Sequence, residues 1–316
     1  MPGAQLSIVV GTYNRRQQIQ ACIESIARET GIPHTVYVTD AGSTDGTVEY
    51  LRSVESDIVR PILVGRKLGQ ARAYNDVFDI VDTPYVCWIS DDNVIVNHGL
   101  ERAVTTLQRH PRIGMVGLKV RDMRGPFTQA PYIGGLSELG ILNVNQGVLP
   151  TAVLRQVGGF SEVFRDYGID PDITAKVLLC GYDIVYSRDV AIHHYRDWSQ
   201  DPASQEYQVL RAKHERSLKL YRDKYSGLLP PSRAFAAKKR LYAWLVRRAG
   251  SRWSLNAKTK MLGQLPRDWH NIFNGRFVSL ADILLCAGRD FHLRQHWPGF
   301  RPAPGCPPEI GLAADG

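Results

Sequence analysis

What this chain lacks narrows the reading first. No run of it approaches the roughly 20 consecutive apolar residues that a membrane-spanning helix requires, although 44% of its 316 residues are hydrophobic. The opening Met-Pro-Gly-Ala-Gln carries no basic segment ahead of a long apolar core, so no secretory leader is expected. The five cysteines (Cys22, Cys87, Cys180, Cys286 and Cys306) are scattered and form no Cys-x-x-Cys pair. That spacing argues against a zinc site or a disulfide framework, and for reduced thiols. A cytoplasmic protein is therefore expected. Internal repeats and low-complexity tracts are absent as well.

Acidic residues are missing between Asp223 and Asp268, where Lys238, Lys239, Arg240, Arg247, Arg248, Arg252, Lys258 and Lys260 all fall. Much of the formal net charge of +8 therefore belongs to the C-terminal part. Ala234, Ala237, Leu241, Trp244 and Leu245 share one helical face beside Lys239, Arg240, Arg247 and Arg248. Such a helix suits either peripheral contact with the anionic inner face of a plasma membrane or packing as a solvated helix on the rest of the chain. The apolar stretch Phe277–Cys286 is too short to span a bilayer, and the Pro-, Gly- and Ala-rich tail from Pro302 reads as disordered. Nucleic-acid binding would rest on charge alone and is not expected.

The first two-thirds of the chain alternate two periodicities. Short apolar runs at Leu6–Val10, His34–Thr39, Ile62–Val64, Tyr85–Ile89 and Met115–Leu118 read as strands. Between them, Ile19, Cys22, Ile23 and Ile26, then Tyr74, Val77, Phe78 and Val81, then Leu100, Ala103, Val104 and Leu107 repeat at helical spacing. Thr44–Val54 reads as a further helix, and Asn14 as a helix cap. Beyond an irregular Gly/Pro-interrupted stretch, a helix follows Pro171 and a strand spans Asp183–Tyr186. The order predicts an α/β fold with a mostly parallel sheet flanked by helices. In such sheets ligands bind beyond the C-terminal ends of the strands.

The loops at those ends are polar: Gly11-Thr12-Tyr13-Asn14-Arg15, Asp40-Ala41-Gly42-Ser43-Thr44, Gly69-Gln70-Ala71-Arg72-Ala73-Tyr74-Asn75 and Ser90-Asp91-Asp92-Asn93. Adjacent carboxylates such as Asp91 and Asp92 repel unless a cation compensates, and a hard divalent cation takes oxygen ligands and bridges phosphates. They could equally be a helix cap and a solvated loop acid. Asp40 could accept the imide N–H of uracil or thymine, or simply close an Asx turn with Gly42 and Ser43. Asp170 precedes Pro171 and suits a helix N-terminus. One ring of His193-His194 could be buried and the other solvated. Trp198 could stack on a sugar or fill the core.

Taken jointly, these segments resemble glycosyltransferase family 2, the large inverting family with the GT-A (Rossmann-like) fold. "LSIVVGTYNRRQQIQACIESI" resembles its opening, "VTDAGSTDGT" its V-D-D-G-S-x-D-x-T turn, "KLGQARAYN" its G-x-x-x-A-x-N segment and "WISDDNV" its D-x-D motif, with Ser90 in place of the first Asp. "QGVLPTAVLRQVGGFSEVF" and "GIDPDITAKVLLCGYDIVY" resemble the segments around its catalytic acid, with Ile169 where the family has Glu and Tyr74 where it often has Arg. The resemblance implies a nucleotide-sugar donor contacted by Thr12, Tyr13, Asn14, Asp40, Gly69, Arg72, Asn75 and Asp91. It implies a divalent metal, Mn2+ or Mg2+, at Asp92, with His193 ahead of His194 as the histidine ligand. It implies Asp170 as general base, with Asp172 as second acid. The acceptor would be a saccharide or polyprenyl-linked saccharide, in bacterial surface polysaccharide synthesis. Residues 1–200 would form the catalytic domain, 201–300 a basic, mainly helical region and 301–316 a tail. Two other readings compete: a non-catalytic scaffold that binds sugar nucleotide, and a nucleotidyltransferase. The latter usually has a Gly-rich, cationic loop after its first strand, which Gly-Thr-Tyr-Asn does not match.

Overall fold

The computed structural model describes residues 3–124, 132–133, 135–136, 142–197, 199, 201–225, 227 and 294–295. The basic helix with Lys239, Arg240, Arg247 and Arg248, the Phe277–Cys286 stretch, Trp198, and the tail lie outside the described residues.

The chain opens β1 (Leu6–Thr12), α1 (Arg16–Glu29), β2 (His34–Asp40), α2 (Thr47–Val54), β3 (Val59–Leu63), α3 (Gln70–Phe78), β4 (Tyr85–Ser90), β5 (Asn93–Ile95), α4 (Gly99–Arg109) and β6 (Ile113–Asp122). The short strands β7 (Tyr132–Ile133), β8 (Gly135–Leu136) and β9 (Leu142–Asn143) follow. Then come β10 (Gly147–Pro150), α5 (Thr151–Val157), a 3-10 turn at Glu162–Phe164, α6 (Ile169–Leu179), β11 (Asp183–His194), α7 (Gln205–Tyr225) and β12 (Arg294–Gln295). The main sheet runs β12-β11-β6-β10-β4-β1-β2-β3. Strands β3, β2, β1 and β4 are parallel, β10 lies antiparallel between β4 and β6, and β6 pairs in parallel with β11. The α/β architecture with helices on both faces is the one the alternating periodicity predicts.

Strand alternation divides the core in two. Val9 and Trp88 join the layer beneath α3, α5, α6 and α7. Ile8, Val10, Cys87 and Ile89 join the layer beneath α1, α2 and α4, where Ile19, Cys22, Ile23 and Ile26 of α1 are buried. Tyr221 and Tyr225 at the end of α7 belong to the first layer. The packed unit therefore continues through Tyr225, past residue 200, because α7 buries aromatic rings against α6.

Asn14 does not cap α1. Its backbone is left-handed (φ 52), its amide donates to Ser43 Oγ (2.8 Å), and its Oδ1 accepts from the Thr44 amide (2.8 Å). It pins the loop after β1 to the loop after β2.

Candidate active site

Because β1, β2, β4, β6 and β11 run parallel, their polar termini share one edge. Thr12 is in register with Asp40, Gly11 with Ser90, and His194 with Asp122. A cleft of about 420 Å³ opens there, lined among others by Thr12, Tyr13, Asp40, Gly69 and Asp91.

Asp91 and Asp92 are nearly buried, at 5% and 7% exposure. One cation joins them: Arg15 Nη1 lies 3.0 Å from both Asp91 Oδ1 and Asp92 Oδ2, while Nη2 reaches Asp197 at 2.7 Å. Thr12 Oγ1 donates to Asp91 Oδ2 at 2.8 Å. Burial nevertheless pushes the Asp91 carboxyl up to about 6, Arg15 opposing and Asp92 adding to the rise. Burial works the same way on Asp92, but the hydrogen bond and charge of His194 and the charge of Arg15 outweigh it and hold that carboxyl below its ordinary value.

His194, and not His193, meets this pair. Successive residues of β11 face opposite sides of the sheet. His194 Nε2 lies 3.3 Å from Asp92 Oδ2 and Nδ1 lies 2.6 Å from Asp122 Oδ1, whose other oxygen pairs with Arg196 at 2.7 Å. Burial opposes a charge on His194, but Asp122 and Asp92 raise it to about 9. His193 falls opposite Arg121, and its pKa is lowered by partial burial and by that cation. Strand parity thus sets His194, and not the His193 expected from the sequence, against Asp92.

Among the described residues no group of three or more His, Cys, Asp or Glu surrounds a common point. Asp92 Oδ1, however, is buried without a hydrogen-bond partner among them. Asp92, and His194 once Nε2 gives up its proton, are the residues that would hold a divalent cation here, with Asp122 backing the ring.

On the β4–β10 side, Asp170 stands in the first turn of α6. Its Oδ1 accepts from Trp88 Nε1 (3.3 Å) and its Oδ2 from Asn145 Nδ2 (3.1 Å). Asn145 Oδ1 in turn accepts from Gln146 Nε2 (3.2 Å), which also reaches Ser90 Oγ (3.2 Å). This relay leads to the residue beside Asp91. Burial raises the Asp170 carboxyl to about 7, the bonds from Trp88 and Asn145 only partly offsetting it. A group so poised can take a proton near neutrality.

Several expected contacts do not reach the cleft. Asp172 has 0% exposure and is held by Lys224 Nζ and Tyr225 Oη, each at 2.7 Å, and by Ser161 Oγ at 2.6 Å. It is a buried structural acid, since two positions along a helix turn the side chain away from Asp170. Asn75 exchanges two bonds with the Phe160 backbone, Oδ1 accepting at 2.8 Å and Nδ2 donating at 2.9 Å. Arg72 is exposed and pairs with Asp76 (2.7 Å) and Glu162 (3.6 Å). Asp40 does line the cleft, but its carboxylate accepts from the amides of Gly42 and Ser43 (2.9 Å each) and from Ser43 Oγ (2.5 Å). Ile169, in the position of the family's Glu, is 1% exposed and sits in the core.

Sequence reasoning missed Arg15, Asp122, Asn145 and Tyr74. Tyr74 Oη donates to the Ile89 carbonyl (2.8 Å) and accepts from the Gly11 amide (3.2 Å), so it bridges β1 and β4 under the cleft. For Asp122 the available signal was its place as the last residue of a long apolar strand.

The family model described as glycosyl transferase family 2 matches residues 7–168, which is half of the chain. The chain belongs to glycosyl transferase family 2. A relative from Mycobacterium tuberculosis, N-acetylglucosaminyl-diphospho-decaprenol L-rhamnosyltransferase, is 24% identical over 267 positions, covering 70% of this chain and 85% of its own. Among solved structures, the mannosyltransferase PcManGT from Pyrobaculum calidifontis, in complex with GDP-Man and Mn2+, matches with a TM-score of 0.54 at 20% identity over 90% of this chain and 79% of its own. S. aureus TarS 1-349 in complex with UDP-GlcNAc matches with a TM-score of 0.51 at 20% identity, over 66% of this chain and 65% of its own. These likenesses place the family 2 chain in the GT-A fold.

Proposed function

We propose that this family 2 glycosyltransferase moves a sugar from a nucleoside-diphosphate sugar to a hydroxyl of a saccharide or polyprenyl-linked saccharide, with inversion and with Mn2+ or Mg2+. The observation that carries the reading is the shared strand edge of Asp40, Asp91, Asp92 and His194, linked through Ser90, Gln146 and Asn145 to a carboxyl at about 7 on Asp170.

In this reading Asp92 and His194 hold the cation, and Asp122 fixes the ring of His194 so that Nε2 faces Asp92. Bound there, a divalent cation supplies neutralisation of the departing diphosphate. Arg15 keeps Asp91 and Asp92 together against their mutual repulsion. Thr12 orients Asp91 toward the donor. Gly69 and Tyr13 line the donor cleft, and Asp40 presents the lone pairs left free by its turn to a uracil or thymine imide. Asp170 accepts the proton of the attacking hydroxyl, and attack from the face opposite the diphosphate inverts the anomeric carbon.

The catalytic unit in this proposal ends near residue 225, followed by the basic region to residue 300 and the tail 301–316. The acceptor class is supported by the diphospho-decaprenol named for the mycobacterial relative. That class and the basic C-terminal region support action at the cytoplasmic face of a membrane. Among the described residues no helix is long and apolar enough to cross one.

The test is product formation from a panel of UDP-, dTDP- and GDP-sugars, with and without chelator. Chelator-sensitive transfer is expected. No transfer and no donor hydrolysis with any sugar nucleotide would leave a binding scaffold instead.

A further inference from the structure

Four described residues other than glycine have positive φ: Asn14, Asn97, His98 and Arg165. Asparagine accepts that region, and His98 (φ 50, ψ 38) sits in the ordinary left-handed well. Arg165 differs, with φ 60 and ψ −75. The Asp166 amide donates back to the Phe164 carbonyl at 2.8 Å. Arg165 is thus the centre of a γ-turn of the rare, strained hand.

The strain is held by bonds onto the start of α3. The Ala71 amide donates to the Arg165 carbonyl (2.7 Å) and the Gln70 amide to Asp166 Oδ1 (3.0 Å). A side chain at position 69 would collide, since a Cβ there would stand 2.7 Å from Arg165 Cγ. Gly69 therefore lets the arginine stem lie across the head of α3 and into the wall of the cleft.

Those bonds hold the backbone of the turn, but among the described residues no contact calls for an arginine side chain there. Its side chain is 61% exposed, and its carboxylate neighbour, Asp166 Oδ2, lies 3.5 Å from Nε. Exposed pairs of that kind contribute little, and an exposed stem contributes little packing. Strain of this sort persists where it positions a side chain for a ligand. Arg66 and Lys213 line the same cleft, and among the described residues neither has a carboxylate within bridging distance.

We propose that Arg165 is a binding residue for the phosphates of the donor, its guanidinium presented to the cleft by the strained turn, with Arg66 and Lys213 as further positive charge. The planar fork of arginine matches phosphate oxygens two at a time. The inference rests on the reading of the cleft as the donor site.

The test compares the full chain with Arg165→Gly and Arg165→Ala, measuring UDP affinity by calorimetry in Mn2+ and melting temperature without ligand. Glycine removes the guanidinium and relieves the strain, whereas alanine removes the guanidinium and keeps it. Both variants should bind UDP roughly tenfold to a hundredfold more weakly than the parent chain, the loss of one charge-assisted pair. The glycine variant should melt at or above the parent temperature, and above the alanine variant. UDP affinity within twofold of the parent in either variant overturns the proposal. So does a glycine variant that melts below the alanine variant, because then the turn holds no strain for glycine to relieve. Failure of the parent chain to bind UDP, dTDP or GDP would overturn the donor-site reading itself, an outcome distinct from intact binding that ignores position 165.

Discussion

Lys224 Nζ, at the end of α7, lies 2.7 Å from Asp172 Oδ1, in the first turn of α6 and away from the cleft. Lys176 approaches the other oxygen at 3.8 Å while donating to the Gly159 carbonyl. This buried pair ties α7 to the helix that carries Asp170. Removing one partner leaves a charge uncompensated, which costs about 3–5 kcal/mol in buried pairs. Lys224→Met should fall near the lower end, because Tyr225 and Ser161 still bond Asp172. Thermal and urea unfolding check this. A variant that unfolds like the parent would show the pair to be inessential.

Asp170 should govern the pH profile. Its carboxyl sits at about 7 because of burial, and a base works only when deprotonated. Turnover should therefore rise with pH through about 7 and fall away below it. Asp170→Asn should keep donor and metal affinity but lose roughly 10²–10⁴ in turnover. The sign for stability is also fixed. A carboxyl raised above its unfolded value of about 3.9 stabilises the fold at low pH and loses that contribution as pH rises through about 7. From pH 5 to pH 8 the melting temperature of Asp170→Asn should gain on the parent. A flat difference, with unchanged turnover, would move the base elsewhere.

The two histidines give a clean comparison. His194→Ala should weaken Mn2+-dependent UDP binding strongly, and Asp122→Asn by roughly 10–100-fold, since it orients the ring from behind. His193→Ala should leave that binding as it was, because β11 turns it toward Arg121. Asp92→Ala should abolish metal-dependent binding without unfolding the domain. Equal losses at His193 and His194 would contradict the geometry.

Asp40 should show two effects at once. Its carboxylate closes a turn through three donors, so Asp40→Ala should lower stability by about 1–3 kcal/mol. If the same carboxylate also meets the base, UDP affinity should drop by a further charge-assisted bond, about 1.5–3 kcal/mol. Loss of stability with unchanged UDP affinity would reduce Asp40 to a turn residue.

The sequence by itself determined the fold class, because buried strands and one-sided helices leave periodicities of 2 and 3.6 that need no knowledge of neighbours. It also determined that Thr12, Asp40, Asp91 and Asp92 would cluster, since parallel strands bring their C-terminal ends to one edge. Side-chain direction within that edge was decided only by tertiary structure. His193 and His194 are equivalent in a pattern, and the register of β11 against β6 chose between them. Asp170 and Asp172 are similar in a motif, and the docking of α7 consumed the second. Asn75 and Arg72 sit in a loop-like signature, yet α3 turns one to Phe160 and the other to solvent. The strained turn at Arg165 could not be read at all, because it exists only where Gly69 and the head of α3, some 95 residues earlier, press against it. Contacts between distant segments have no local signal, and they are what fixed the orientation of each functional group.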